Sequence, residues 1–136
     1  MFSKDTRILV VDDMRTMRIV IKKTLASLQF TNIVEADDGT TAWSELEKAM
    51  ANQTQFHLIV SDWTMPKMTG LDLLKKVRTH AKLTNLPFLM VTAEADAAQV
   101  KEAIAAGVSG YITKPFSADT LKEKLAAMHE RITKAG

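Results

Sequence analysis

The strongest constraint in this 136-residue sequence is a set of short, uninterrupted apolar runs, each stopping on a polar residue. Ile8-Leu9-Val10-Val11 stops on Asp12-Asp13, and residues 56–61 deliver Asp62. Phe88-Leu89-Met90-Val91 ends on Thr92, and residues 109–113 end at Lys114-Pro115. Runs that do not alternate apolar with polar are strands buried on both faces, as in a parallel sheet between helical layers. Residues 32–36 form a weaker second strand.

Between these runs the apolar residues recur at helical spacing. Met17, Val20, Ile21, Leu25 and Leu28 mark a helix over 15–29. Ala42, Trp43, Leu46 and Met50 mark one over 40–50, after the turn residues Asp37-Asp38-Gly39. Thr69, with Asp72 three residues on, has the capping-box pattern for a helix running through Leu74, Val77 and Ala81. Val100, Ala103, Ile104 and Gly107 share one side of a helix over 94–106, which Gly107 should stop. Ser117 can cap the last helix, whose stripe is Leu121, Leu125, Met128 and Ile132; residues 134–136 should fray. The polar stretch 51–55 reads as a loop without function. Strands alternating with helices over short connections mean an α/β fold, with right-handed crossovers placing helices on both faces of the sheet.

The length fits a single domain over residues 1–136, with its core at about 7–131. The net charge of +2 gives no argument for nucleic acid or membrane, and the absence of cysteine excludes disulfides and thiolate metal sites. No apolar run is long enough to span a bilayer, and the start has no signal-peptide pattern, so a cytoplasmic location is expected; the chain is read as a monomer.

Function is read from the strand ends, because ligands of open α/β sheets bind outside the carboxyl ends of the strands. Those ends carry Asp12 and Asp13, Asp62, Thr92 and Lys114; the second strand ends on Ala36-Asp37, which is not decisive. Three carboxylates in one crevice repel and call for a cation, and Mg²⁺ takes oxygen ligands of this kind. A carboxylate can also act as a nucleophile and form an aspartyl phosphate. Mg²⁺ and the Lys114 ammonium would neutralise the phosphoryl charge, and the Thr92 hydroxyl could donate to a phosphate oxygen. Taken singly, each residue has a plainer reading: Asp12, Asp13 or Thr92 as a helix cap, and Lys114 as a surface lysine. Their convergence favours the chemical reading. A cis Lys114-Pro115 bond would fix the backbone there.

Other residues are weighed against ordinary roles. Arg15, Arg18, Lys22 and Lys23 form a helix face without an acid, either solvated or a docking surface for an acidic partner. His57, His80 and His129 lie on different elements and suggest no metal cluster. The methionines are read as core filler. Trp63 is a partner contact or a partly buried anchor beside Asp62.

Val10-Val11-Asp12-Asp13, Ser61-Asp62 with Met65-Pro66 and Gly70, Val91-Thr92-Ala93 and Lys114-Pro115-Phe116 resemble the receiver domain of two-component response regulators. The likeness covers about residues 7–131 and is greatest to single-domain regulators of chemotaxis. It implies a flavodoxin-like (βα)5 fold with strand order 2-1-3-4-5. It further implies that Asp62 accepts a phosphoryl group from a histidine kinase. Asp13, Asp62 and the Thr64 backbone carbonyl would ligate Mg²⁺, with Asp12 acting through water. Lys114 and Thr92 would contact the phosphoryl group, and Tyr111 would swing inward near Thr92 as a switch. The fourth helix, fifth strand and fifth helix, including Val100, Tyr111 and Lys124, would form the output surface. Its target would be the flagellar motor switch protein or another protein, with a phosphatase possible.

Four positions depart from those chemotaxis relatives. Thr64 replaces an asparagine bordering the path of attacking water, so Thr64, along with Glu94, is a candidate for tuning the dephosphorylation rate. Met14 replaces a phenylalanine. Asp96-Ala97 replace two lysines, removing positive charge from the output face.

The chain is thus expected to catalyse only its own phosphorylation and dephosphorylation. A phosphorelay intermediate or phosphate sink is the alternative. A Mg²⁺-dependent aspartyl-phosphate phosphohydrolase is disfavoured, because such enzymes want Asp-x-Asp after the first strand and a cap segment. A receiver-like module acting without phosphorylation is disfavoured because every acceptor, metal and lysine position is filled.

Overall fold

A computed structural model describes residues 1–93 and 96–135. In chain order the elements are β1 (Ile8–Val11), α1 (Arg15–Ser27), β2 (Ile33–Ala36), α2 (Gly39–Ala51) and β3 (Leu58–Asp62). They continue as α3 (Gly70–Thr79), β4 (Phe88–Thr92), α4 (Ala97–Ala105), β5 (Gly110–Thr113) and α5 (Ala118–Ala135). The five strands form one sheet in the order β2-β1-β3-β4-β5, and all four pairings are parallel. This is the α/β topology expected from the apolar runs.

The alternation of side chains along each strand divides the core in two. Ile8 and Val10 of β1 join Leu58, Val60, Leu89, Val91 and Ile112 under α1 and α5, which contribute Ile21, Leu25, Leu121, Leu125 and Met128. Leu9 and Val11 point the other way, with Ile59, Phe88 and Met90, to pack against α2 and α3 through Leu46, Leu73, Leu74 and Val77. The three inner strands β1, β3 and β4 are buried throughout, whereas the edge strands β2 and β5 are only partly covered. The order of the sheet therefore places β1 and β3, with their terminal aspartates, side by side at its centre.

Several helix limits differ from the periodicity, for local reasons. α1 ends at Ser27, two residues before Gln29, which takes a left-handed φ of 78°. α2 starts at Gly39 because Asp38 and Thr41 make a reciprocal capping box. α3 stops at Thr79, short of Ala81, where His80 turns to extended backbone. α4 is capped by Asp96, whose carboxylate accepts from the Gln99 N–H at 2.7 Å. Thr69 and Ser117 act as caps as expected, accepting from Asp72 and Thr120. α5 remains helical through Ala135, where fraying was expected from 134 on; Gly136 lies outside the described residues.

The helical stripes overstate burial in three places. Val20, Ile104 and Ile132 fall in their apolar stripes yet are exposed, Ile104 most of all at 65%. Ala103 is the one fully buried residue of α4; Val100 is only partly covered and Ile104 is exposed. Trp43 and Met50 are partly buried at the margin of the core, with the Lys76 ammonium 4.5 Å from the Trp43 ring centre.

Candidate functional site

β1 ends one residue before Asp12, which is fully buried. A buried carboxylate must have partners, and Asp12 has them. One oxygen accepts from the Met14 N–H at 2.9 Å, and the other from Lys114 Nζ at 2.9 Å. Its own N–H continues the sheet by donating to the Ala36 carbonyl at 3.1 Å. Asp12 is therefore not the cap of α1: that helix begins after Met14 without a side-chain cap. Asp13 stands exposed next to it, with no hydrogen-bond partner among the described residues.

Asp62 is the last residue of β3 and only 8% exposed, although it stands at the open carboxyl edge of the sheet. Oδ1 accepts from the Trp63 N–H at 2.8 Å, and Oδ2 lies 3.5 Å from Lys114 Nζ. The next loop folds hard against this residue. Gly70 donates its N–H to the Trp63 carbonyl at 2.8 Å, and a Cβ at Gly70 would lie 2.1 Å from the Asp62 carbonyl oxygen. No other residue fits there unless the Asp62 backbone moves.

The fifth strand brings in the cation. The Lys114 N–H donates to the Thr92 carbonyl at 2.7 Å, the Lys114-Pro115 bond is cis, and the ammonium bridges Asp12 and Asp62 across 102 positions of sequence. Oxygens of Asp12, Asp13 and Asp62 lie within 4.8 Å of one another, the arrangement a divalent cation would occupy. Burial first, and the neighbouring Asp12 second, hold the Asp62 carboxyl above its ordinary value, against the opposing pull of Lys114.

These oxygens fit Mg²⁺. The donors are all hard, and three like charges share one lysine. Both Asp12 oxygens are held at 2.9 Å, Asp62 has one oxygen on the Trp63 N–H and the other 3.5 Å from Lys114, and Asp13 is the carboxylate with no hydrogen-bond partner among the described residues.

Thr92 ends β4 and is buried beside the cluster. Its side chain is hydrogen-bonded to Tyr111, which is partly buried against the core on the α2 and α3 side. Burial raises the Tyr111 phenol pKa, the Thr92 hydrogen bond opposes that, and Asp96 adds to it. Tyr111 is already turned inward and touches the residue it was expected to sense. On its outer side it lines a groove of about 240 Å³ with Val100, Ile104, Val108, Lys124 and Arg131. All three residues assigned to the output surface, Val100, Tyr111 and Lys124, meet in that groove.

Thr64 is exposed two residues beyond Asp62. Glu94, the other residue assigned to rate tuning, lies outside the described residues. The basic face of α1 is less free than its sequence suggested, since Arg18 and Lys22 both pair with Glu35 of β2, at 3.0 and 3.1 Å. The histidines form no metal-ligating group among the described residues: His57 and His80 accept backbone N–H groups of Arg7 and Lys82, and His129, which lines a hollow with His57, meets Phe2 edge to face. Among the described residues, no helix is long and apolar enough to cross a membrane.

A parallel 2-1-3-4-5 sheet with an acidic cluster and a lysine at its carboxyl edge defines a class of signalling domain, and comparison with known proteins agrees. The chain matches the response regulator receiver domain over residues 8–126, and it belongs to that family. It is 52% identical over 126 residues to the chemotaxis protein CheY of Pseudomonas aeruginosa, covering 93% of this chain and 98% of that protein. It is 51% identical over 130 residues to CheY-3 of Vibrio cholerae, covering 96% of each. Among solved structures, CheY4 of Vibrio cholerae superposes with a TM-score of 0.79 at 33% identity, covering 91% of this chain and 98% of that one. A putative response regulator of Chloroflexus aurantiacus gives 0.82 at 26% identity, covering 91% and 97%. The chain is a response regulator of the chemotaxis type.

Proposed function

We propose that Asp62 accepts a phosphoryl group from the phosphohistidine of a histidine kinase. The observation that carries this reading is a nearly buried carboxylate with an ammonium 3.5 Å away and two further acids beside it. An Asp62 oxygen forms the bond to phosphorus, the P–N bond of the donor breaks, and its electron pair stays on the imidazole nitrogen. The carboxylate is the nucleophilic form of this group, and Lys114 favours it against the burial and the neighbouring Asp12 that raise the Asp62 pKa.

Asp13, Asp62 and the Thr64 backbone carbonyl would hold Mg²⁺, and Asp12 would reach it through water. The ion would neutralise charge on the phosphoryl oxygens. Lys114 would turn from the carboxylates to the phosphoryl group, and the Thr92 hydroxyl would donate to it. Adding about 1.5 to 2 negative charges beside Thr92 changes what that hydroxyl bonds, and its partner Tyr111 carries the change to the groove. Thr64 borders the approach of water to the adduct and sets its lifetime.

The output is protein contact at the α4–β5–α5 groove. Val100 and Ile104 supply an apolar strip, and Lys124 and Arg131 a cationic rim. This suits an amphipathic segment with acidic flanks, with the flagellar motor switch protein as the first target. The chain acts in the cytoplasm, catalyses only its own phosphorylation and dephosphorylation, and is a substrate for any dedicated phosphatase.

Mixing the protein with Mg²⁺ and acetyl phosphate should give one acid-stable, base-labile phosphoryl adduct and a change in Trp63 fluorescence, both lost in Asp62→Ala. Sustained release of phosphate from many esters would instead mark a phosphohydrolase, and no adduct would mark a module that works without phosphorylation. A pull-down with flagellar switch components should strengthen on phosphorylation. Unchanged binding would remove the motor target and leave a relay or sink.

A further inference from the structure

Every polar group of Asp12 has a partner, and one of them is unexplained by the site described so far. The Asp12 carbonyl is the first on β1 to lie beyond the strand pairing, whose register ends at Val11 on both sides. It accepts from Arg18 Nη1 at 2.7 Å. The same guanidinium donates through Nε to Glu35 Oε1 at 3.0 Å, and Lys22 Nζ takes the second oxygen, Glu35 Oε2, at 3.1 Å. Glu35 is itself held in register, opposite Val10 on the neighbouring strand. The Arg18 side chain is largely covered, at 16% exposure.

We propose that Arg18, braced by Glu35, is a positioning residue that sets the orientation of the Asp12–Asp13 peptide and thereby the divalent-cation affinity of the acidic site. The proposal rests on the reading of Asp13 and Asp62 as cation ligands. The Asp12 side of that peptide is pinned by the sheet, by Lys114 and by the Met14 N–H on its carboxylate, whereas the Asp13 side chain is exposed with no hydrogen-bond partner among the described residues. Rotation of the peptide unit would swing Asp13 away from Asp62. Two donors of one planar guanidinium, one on the Asp12 carbonyl and one on a strand-anchored carboxylate, remove that rotation. A lysine offers a point charge without the fork, so it cannot make both contacts in one fixed plane. Residues standing behind a metal ligand in this way change affinity by about 10- to 100-fold when removed.

The test is Mg²⁺ titration of the unphosphorylated protein followed by Trp63 fluorescence, with thermal denaturation alongside. Arg18→Lys keeps the charge and should weaken Mg²⁺ binding about tenfold. Glu35→Gln should weaken it in the same direction by less, and the double variant should be no weaker than Arg18→Lys alone, since both act through one contact. In the presence of saturating Mg²⁺, Arg18→Lys should recover most of the wild-type phosphorylation rate with acetyl phosphate. Wild-type Mg²⁺ affinity in Arg18→Lys, whatever its melting temperature, would overturn the proposal. So would strictly additive effects of the two substitutions. Asp13→Asn serves as the control for the underlying site: if it binds Mg²⁺ as the wild type does, the cation-site reading fails and this proposal with it. If Asp13→Asn loses binding while Arg18→Lys does not, only the proposal fails.

Discussion

The acidic edge of the sheet and the α4–β5–α5 groove are built in opposite ways. At the acidic edge each reacting group is held. Asp12 is fully buried with both oxygens engaged, Asp62 is fixed by the Trp63 N–H, and Gly70 lets the next loop close on its backbone. At the groove little is held. β5 is a partly covered edge strand, α4 buries one residue, and Ile104 projects into solvent. Phosphoryl transfer needs groups fixed before the reaction, because positioning supplies most of its catalysis. A response needs an element with few contacts to break, because a modest change at the site must shift its equilibrium. The Thr92–Tyr111 hydrogen bond is a side-chain link between them, reaching from beside the cluster to the groove wall.

Substitutions on α3 should break the comparison most clearly. Leu74→Ala empties a fully buried position and should cost about 2–5 kcal/mol in denaturant unfolding. A cost below 1 kcal/mol would mean that the α3 side is not the rigid one. Gly70→Ala should cost about 1–3 kcal/mol by overpacking and should slow adduct formation on Asp62, because the new methyl displaces its carbonyl. Normal phosphorylation in a folded Gly70→Ala protein would show that the Asp62 backbone is not held there.

A pH series tests the cluster without emptying the core. In metal-free protein, burial and Asp12 hold the Asp62 pKa above its ordinary 3.8. The folded chain then binds this proton more readily than the unfolded chain. The contribution of Asp62 to stability therefore falls as pH rises from the unfolded pKa through the raised folded one. Asp62→Asn should melt higher than wild type above that window and converge with it below. Equal melting temperatures at neutral pH would show that Lys114 fully offsets the burial. Ile104→Ala should have the smallest effect on stability, within about 0.5 kcal/mol, since its side chain is exposed. It should nevertheless weaken capture of the output partner, and unchanged capture would move the interface elsewhere.

Much of this was legible before the chain was folded. Continuous apolar runs this short, rich in β-branched residues and each stopped by a polar residue, read as strands covered on both sides, so the parallel sheet and its helical layers followed. The carboxyl-end rule then collected Asp12, Asp13, Asp62, Thr92 and Lys114 without any distance. Periodicity was less informative on burial. It identifies the apolar side of α4 but not whether anything lies over it, and Ile104 proved exposed. Charge patterning was similarly local. Arg18 and Lys22 looked like a free basic face because their acid, Glu35, sits on a different element.

By itself, then, the sequence determined which residues reach the carboxyl edge of the sheet, because strand length and side-chain alternation are local properties of the chain. Only the tertiary structure decided how those residues stand toward one another. It buried Asp62 and raised its pKa, committed both Asp12 oxygens, tied Thr92 to Tyr111, and set Arg18 on the Asp12 carbonyl. Each of these depends on groups far apart in sequence competing for the same few ångströms, where burial and charge are set by neighbours that no local pattern specifies.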